Sequence, residues 1–350
     1  MTPPYPFDEL EEVVDAKRPL WEELRGARVL ITGGTGFFGR WLVESFAHAD
    51  ARLRLDARAV VLARHASALR KPAPHLASNR HIELFDADVR SSSGPEGAFS
   101  HVIHAATAAS ARLNEEQPLE MAGIIIDGTR RVLDLAARLG VRRFLFVSSG
   151  AVYGQQPADL PQLAEDYRGA PDPMSPRSAY GEAKRLAELY CASALSAVVA
   201  RPFALVGPGL PLDRHFAIGN FIADGLAGRP ICVKGDGTAI RSYLYASDLV
   251  IWLWTLLLQG RPGRAYNVGS EGAISIAHLA AAVGEQFRVP VEIQQASTPG
   301  RLPDRYVPST RRAREELGLS ESVSLPEAIR RTARWHASPQ AGLRVEVSGR

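Results

Sequence analysis

The sequence predicts an α/β protein, a doubly wound parallel sheet followed by a smaller C-terminal lobe. Three observations carry that expectation. Short apolar runs without polar alternation, such as "RVLITG", "AVVLAR" and "RFLFVSS", have the composition of strands buried on both faces. Helical segments with one apolar face separate these runs, and such alternation marks a parallel sheet covered by helices on both sides. Past Gly207 the rhythm breaks into Pro- and Gly-rich loops with shorter elements, among them "GPGLPLD", "GDGTAIRSYLYASDL" and "RAYNVGS", which predicts the second lobe.

In chain order, residues 1–26 read as an N-terminal extension, with "DELEEVV" and "PLWEELR" as short amphipathic helices. Residues 27–207 hold the alternating elements: strand "RVLITG", helix "RWLVESFAHA", strands "AVVLAR", "IELFDADV" and "HVIHAA", helix "GTRRVLDLAARLG", strand "RFLFVSS", helix "SAYGEAKRLAELYCASAL" and strand "AVVARPFALVG". Residues 208–336 form most of the second lobe, with one strand and one helix expected to return to the first. Residues 337–350 read as a tail ordered only in part.

Bulk properties exclude several classes. The chain has 350 residues, 46% of them hydrophobic, enough for a large core in one large or two modest domains. A net charge of +3, with arginines scattered among acids, gives no tract for nucleic acid. Cys191 and Cys232 are too few and too distant for a disulfide framework or a metal cluster, so no metal is expected, and both read as small buried side chains. The N-terminus lacks the basic-then-apolar order of a signal peptide, and the longest apolar run, "LVIWLWTLLL", is too short to span a bilayer. The expected location is the cytoplasm, away from membranes.

"ITGGTGFFGRW" places Gly33, Gly36 and Gly39 at three-residue intervals between the first strand and its helix. Glycines there let the backbone approach a pyrophosphate, and the helix N-terminus adds amide donors and a favourable dipole. The turn therefore predicts a dinucleotide, with Thr35, Phe37 and Phe38 beside it. Ala105, Ala106 and Val89 are expected to lie along the cofactor. NAD and NADP both remain open. The second strand ends in Ala63 and Arg64 where NAD enzymes usually offer an acid; Arg64 could pair with a 2'-phosphate, stack on adenine, or face solvent. Asp56 reads as a surface turn residue ahead of the strand, and Asp88, in "DADVR", as a partner for the adenine amino group or a helix cap.

"AYGEAK" sets Tyr180 and Lys184 four apart, one above the other on a helix. An ammonium beside a phenol, with a positively charged nicotinamide near, lowers the phenol's pKa so that it can act as a base. With nine tyrosines and only four lysines, such a pair arises by accident about 0.1 times in this chain.

"TGGTGFFG", "HAA", "SSGAVYG", "YGEAK", "GDGTAIRSYLYASDL" and "NVGS" occur in the order of the extended short-chain dehydrogenase/reductase family, which the chain resembles from about Arg28 to Trp335. The resemblance is to its nucleotide-sugar epimerases and dehydratases. It implies a Rossmann domain holding NAD(P), a C-terminal lobe holding a nucleoside-diphosphate sugar, and polysaccharide or secondary-metabolite biosynthesis as the setting. Tyr180 would take a proton from a sugar hydroxyl, usually at carbon 4. Lys184 would assist it and hold the ribose, and Ser149, or its neighbour Ser148, would orient the sugar oxygen. Arg241 would pair with the diphosphate, Asn220 with phosphate or sugar, and Arg301 or Arg305 would be the distal arginine. A homodimer is the expected assembly.

The stretch "SSGAVYG" also departs from part of that family. In its 4,6-dehydratases the two residues after the hydroxyl are an acid pair, and in its decarboxylases the second is a glutamate; here they are Gly150 and Ala151. Elimination of water needs an acid and a base near carbons 5 and 6, whereas 4-epimerisation needs neither. The expectation is thus a 4-epimerase acting through a 4-keto intermediate. A 4-ketoreductase, a dehydratase with displaced acids and a non-catalytic NAD(P)-sensing protein are the alternatives. Ile125 and Ala204 replace two asparagines usual in the family, so the sugar cannot be carried over.

Overall fold

The computed structural model describes residues 5–91, 93–107, 111–194, 197–212 and 216–338; the tail beyond 338 lies outside them. Fourteen strands are present among these residues. In chain order they are β1 Arg28–Thr32, β2 Arg58–Ala63, β3 Ile82–Asp86, β4 His101–His104, β5 Arg143–Val147, β6 Val198–Pro202 and β7 Leu205–Val206. There follow β8 Ile231–Val233, β9 Ile240–Arg241, β10 Leu244–Tyr245, β11 Ala265–Val268, β12 Ile274–Ser275, β13 Val291–Ile293 and β14 Arg305–Tyr306.

Seven strands make one sheet in the order β11-β6-β5-β4-β1-β2-β3, and every pairing in it is parallel. The apolar runs predict this: Val29 to Ile31, Val60 to Leu62 and Phe144 to Val147 are all buried, as strands covered on both faces must be. The order reverses between β1 and β4, where adjacent crossovers leave in opposite directions and open a crevice at the carboxyl ends of the strands.

Two elements of the C-terminal half complete this sheet. Strand β11 adds to its edge beside β6, and the helix Ala246–Gln259, almost wholly buried, packs against β5 and β6 and against the helix Phe37–Leu53. Of the remaining C-terminal strands, β10 pairs with β7, and the others form small sheets, β12-β9-β14 and β13-β8, beside the helices Ala217–Leu226 and Ile276–Phe287. A separate apolar cluster around Ile218, Phe221, Ile222, Leu279 and Val283 is the core of this lobe. Cys191 is buried, but Cys232 is partly exposed and accepts a hydrogen bond from Gln294 Nε2, contrary to the expectation that both would be enclosed.

The N-terminal extension is built into the main core. Its helix Phe7–Ala16 buries Leu10, Val13 and Val14 against the helices Phe37–Leu53 and Ala246–Gln259. Trp21, in the short helix Arg18–Glu22, meets Trp254 at a ring distance of 5.3 Å.

Candidate active site

The ends of β1, β4 and β5 bring the predicted residues to one crevice. Gly33, just after β1, has φ +76°, and a Cβ there would stand 2.7 Å from the backbone of Ala106, just after β4. A Cβ on Gly39 would come within 2.2 Å of the Gly33 carbonyl oxygen. Glycine is therefore required for the turn to close against its own helix and against the neighbouring strand end. Thr35 and Gly36 stay exposed at the opening, Phe37 and Phe38 are half-buried edge to face, and the helix Phe37–Leu53 begins with no side chain capping its amides. A bare helix start behind a glycine cradle fits a dinucleotide pyrophosphate.

A buried relay ties the two strand ends together. The Ala106 amide donates to Thr32 Oγ1 at 3.2 Å, and Thr32 and His104 Nδ1 are 2.7 Å apart. His104 Nε2 lies 3.2 Å from Thr129 Oγ1, whose own proton goes to the Ile125 carbonyl. Thr129 must then accept, which places the imidazole proton on Nε2 and leaves Nδ1 to accept from Thr32. Burial, with the Lys184 charge adding to it, pushes His104 down to about 3, so the ring is neutral.

At the adenosine end, Arg64 is exposed where β2 stops. Asp88 accepts hydrogen bonds from the Arg90 amide and guanidinium, which hold its carboxyl below the usual range, with a smaller contribution from Arg64. Val89, next to it, lies against Gly128. Asp56 has a left-handed φ of 50° and is exposed ahead of β2, as a turn residue would be.

The two serines after β5 face different ways. Ser148 Oγ donates to Glu188 Oε1 at 2.6 Å, and Glu188 pairs with Arg201, which donates to the Tyr153 hydroxyl. Ser149 caps the short 3-10 turn Gly150–Tyr153, accepting from the Ala151 amide at 3.1 Å. Burial raises the Tyr180 phenol, and the Ser149 hydroxyl opposes that rise. Lys184, on the same helix Ala179–Ala194, donates 2.8 Å bonds to the Val147 carbonyl and Thr107 Oγ1. Its burial pushes the ammonium down to about 7. Its Nζ lies 6.0 Å from the Tyr180 ring centroid, close enough for the charge to favour a phenolate.

Across the crevice, Arg241 on β9 pairs with Asp304 at 2.6 Å. Asn220 is exposed in the first turn of its helix, and Arg301 is exposed in the turn before β14. Among the described residues, no hydrogen bond or ion pair joins either of them to Ser149, Tyr180 or Lys184. Arg305 lies on β14, with its Nε buried and without a partner.

One member of the group escapes sequence reasoning. Tyr306, also on β14, packs on Phe203 with ring centroids 4.5 Å apart. A Cβ on Gly150 would stand 2.4 Å from its hydroxyl and 2.8 Å from Phe203. The space beside Ser149 is thus filled by a phenol from the other lobe. The only signal in the sequence is a tyrosine in "DRYVP", more than 150 positions from Ser149.

A glycine-cradled dinucleotide site joined to a Ser–Tyr–Lys group defines a Rossmann-type oxidoreductase site shared between two lobes. Residues 29–269 match the model of the NAD dependent epimerase/dehydratase family, and the chain belongs to that family. It is 32% identical over 321 residues to UDP-glucuronic acid decarboxylase 2 of Arabidopsis thaliana, covering 89% of this chain and 69% of the relative. In fold it is similar to an epimerase of Methanothermobacter thermautotrophicus, with TM-score 0.75, 23% identity and coverage of 93% and 95%. It is also similar to the dTDP-glucose 4,6-dehydratase DesIV of Streptomyces venezuelae, a complex with NAD, with TM-score 0.74, 23% identity and coverage of 88% and 96%. The protein is an NAD(P)-dependent enzyme of the nucleotide-sugar epimerase/dehydratase type. No helix among the described residues is long and apolar enough to cross a membrane.

Proposed function

We propose that the protein is a nucleoside-diphosphate-hexose 4-epimerase. The observation that carries this reading is the pair Gly150 and Ala151, with the space at Gly150 occupied by Tyr306 and Phe203. Among the described residues, no hydrogen bond or ion pair joins a carboxylate to Ser149, Tyr180 or Tyr306. A site so built removes and returns a proton at the carbon-4 oxygen but offers no acid-base pair for loss of water from carbons 5 and 6.

In this reading Tyr180 accepts the carbon-4 hydroxyl proton and gives it back after the sugar has presented its other face. Ser149 orients that oxygen, and the Lys184 charge favours the Tyr180 phenolate. Gly33, Gly36, Gly39 and the helix start behind them would hold the NAD(P), which when bound supplies reversible hydride acceptance. Arg241 would hold the diphosphate, with Asn220 and Arg301 at the outer end of the sugar nucleotide.

A second reading is favoured by the relative from Arabidopsis, a UDP-glucuronic acid decarboxylase. A uronic acid oxidised at carbon 4 is a β-keto acid and can lose carbon dioxide without a carboxylate from the loop. Mass spectrometry of products separates the two. UDP- or dTDP-hexoses should give products of unchanged mass, and UDP-glucuronate should give a product of unchanged mass as well. Loss of carbon dioxide from the glucuronate would install the decarboxylase reading, and loss of water from a hexose would show that acids reach the sugar from elsewhere.

A further inference from the structure

The N-terminal extension meets both lobes through one buried side chain. Tyr5 lies on Trp41 with ring centroids 4.6 Å apart, and the Arg40 guanidinium stands 5.3 Å from the centre of its ring. Both partners belong to the helix Phe37–Leu53 behind the glycine turn. Tyr5 also meets Trp335 edge to face at 5.8 Å, on the helix Leu325–Ala337, whose Ala328, Ile329 and Ala333 are part of the C-terminal lobe's core. The same phenol bears on the loop that leaves β7 for that lobe. Gly209 in this loop has φ +84°, and a Cβ there would stand 2.2 Å from the Tyr5 hydroxyl, so glycine is what lets the phenol lie against the backbone. One residue earlier, the Pro208 carbonyl accepts from Trp41 Nε1 at 2.9 Å. One residue later, Leu210 is buried in the core of the C-terminal lobe. The Pro211 carbonyl then lies 3.0 Å from where a Cβ on Gly219 would stand, in the helix Ala217–Leu226 and next to Asn220. A continuous path of contacts thus runs from Tyr5 through the loop to the helix turn that carries Asn220. In the reaction proposed above the extension has no task, and it precedes the matched family region.

We propose that Tyr5 is a positioning residue for the nucleoside-diphosphate site: it locks the Pro208–Gly209 turn against the dinucleotide-binding helix and so sets where the helix Ala217–Leu226 stands relative to the crevice. This rests on the reading that the C-terminal lobe holds the sugar nucleotide, whichever sugar reaction follows. A site shared by two lobes binds only in the arrangement where both sets of groups meet the ligand, and apparent affinity falls with the fraction of protein in that arrangement. Loss of the Tyr5 ring releases the loop on one side. The glycine turn, by contrast, is closed by its own backbone and by that of Ala106. The loss should therefore fall on the sugar nucleotide and not on the dinucleotide.

The test is calorimetry on the full chain with NAD and with UDP or dTDP, whichever the wild type binds, well below the melting temperature of each variant. Tyr5→Ala should weaken UDP or dTDP binding by about tenfold, the competent arrangement falling to roughly a tenth of the population, with NAD affinity within about twofold of wild type. Tyr5→Leu keeps apolar volume but no ring; it should show the same split and carries the test if Tyr5→Ala does not fold. Tyr5→Phe keeps the ring on Trp41 and should restore wild-type affinity. Trp21→Ala opens a void in the same extension, against Trp254, and measures what destabilisation alone does; its UDP affinity should not change. Unchanged UDP affinity in the Tyr5 variants would overturn the proposal and leave the C-terminal lobe as the sugar-nucleotide site. An equal loss in Trp21→Ala, or a loss of NAD together with UDP, would overturn it as well, since the extension would then act through stability alone. A wild type that binds neither UDP nor dTDP is a different result: it removes the reading of the lobe, and the proposal falls with it.

Discussion

Arg241 and Asp304 face each other across β9 and the start of β14 at 2.6 Å, and the Arg241 guanidinium also donates to the Asp304 carbonyl. The arginine proposed for the diphosphate is thus already held by a carboxylate. Asp304 is half exposed, so the pair contributes little to stability. A diphosphate brings more charge and more acceptor oxygens, and should displace it. Arg241→Ala should therefore weaken UDP or dTDP binding by at least about tenfold, while Asp304→Asn, which removes the competitor, should strengthen it. Calorimetry reads both, and unchanged affinity in Arg241→Ala would place the diphosphate elsewhere.

Tyr180→Phe keeps the ring and removes the proton acceptor. Turnover should fall by at least about a hundredfold, with sugar-nucleotide affinity retained. Near-normal turnover with any converted substrate would take the base assignment away from Tyr180.

Lys184 predicts a stability profile. Burial lowers its ammonium from 10.5 to about 7 in the protein stripped of nucleotide. Between those values the unfolded chain keeps the proton and the folded chain does not, so unfolding binds a proton and the contribution of this residue to stability rises with pH. Below about 7 both states are charged, and the full cost of burying the ammonium remains. The difference in unfolding free energy between wild type and Lys184→Met should slope upward through this window, by up to about 1.4 kcal/mol per pH unit, and flatten below it. Parallel profiles from denaturant melts would show that the ammonium is not buried at a cost.

The sheet was legible because parallel strands buried on both faces write themselves as continuous apolar runs, as β1, β2 and β5 do, whereas β3, at the sheet edge, is only partly buried and carries Glu83 and Asp86. Gly33 and Gly39 were legible for a steric reason: their Cβ positions are occupied by backbone. Tyr180 and Lys184 share a helix, so spacing alone brings them together. Tyr306 was not legible, because its place beside Ser149 is set by how β14 pairs with β9 in another lobe, and no local pattern records that. Which serine faces Tyr180 was also open, since Ser148 is withdrawn by Glu188, forty positions away. The Arg90 partner of Asp88 illustrates the same point: a nearby side chain takes up a carboxylate that sequence alone offers to adenine.

The N-terminal extension gives the last prediction. It precedes the matched family region, yet Trp21 is 1% exposed and packs on Trp254, which in turn donates to Ser45 and stacks on Phe46. Tyr5 lies on Trp41 at 4.6 Å, and Glu9 accepts from Tyr245 at 2.8 Å, so the extension touches both the helix behind the glycine turn and the strand that leads from Arg241. Trp21→Ala would leave a large void in this cluster and should lower stability by about 3 to 5 kcal/mol. Glu12→Gln breaks only an ion pair with Arg331 whose carboxylate is exposed, and should cost less than about 1 kcal/mol. Well below its melting temperature, Trp21→Ala should bind UDP as the wild type does, since its ring lies against helices and not against the crevice. A melt unchanged by Trp21→Ala would show that the extension is a surface appendage, and the core would have to be redrawn without it.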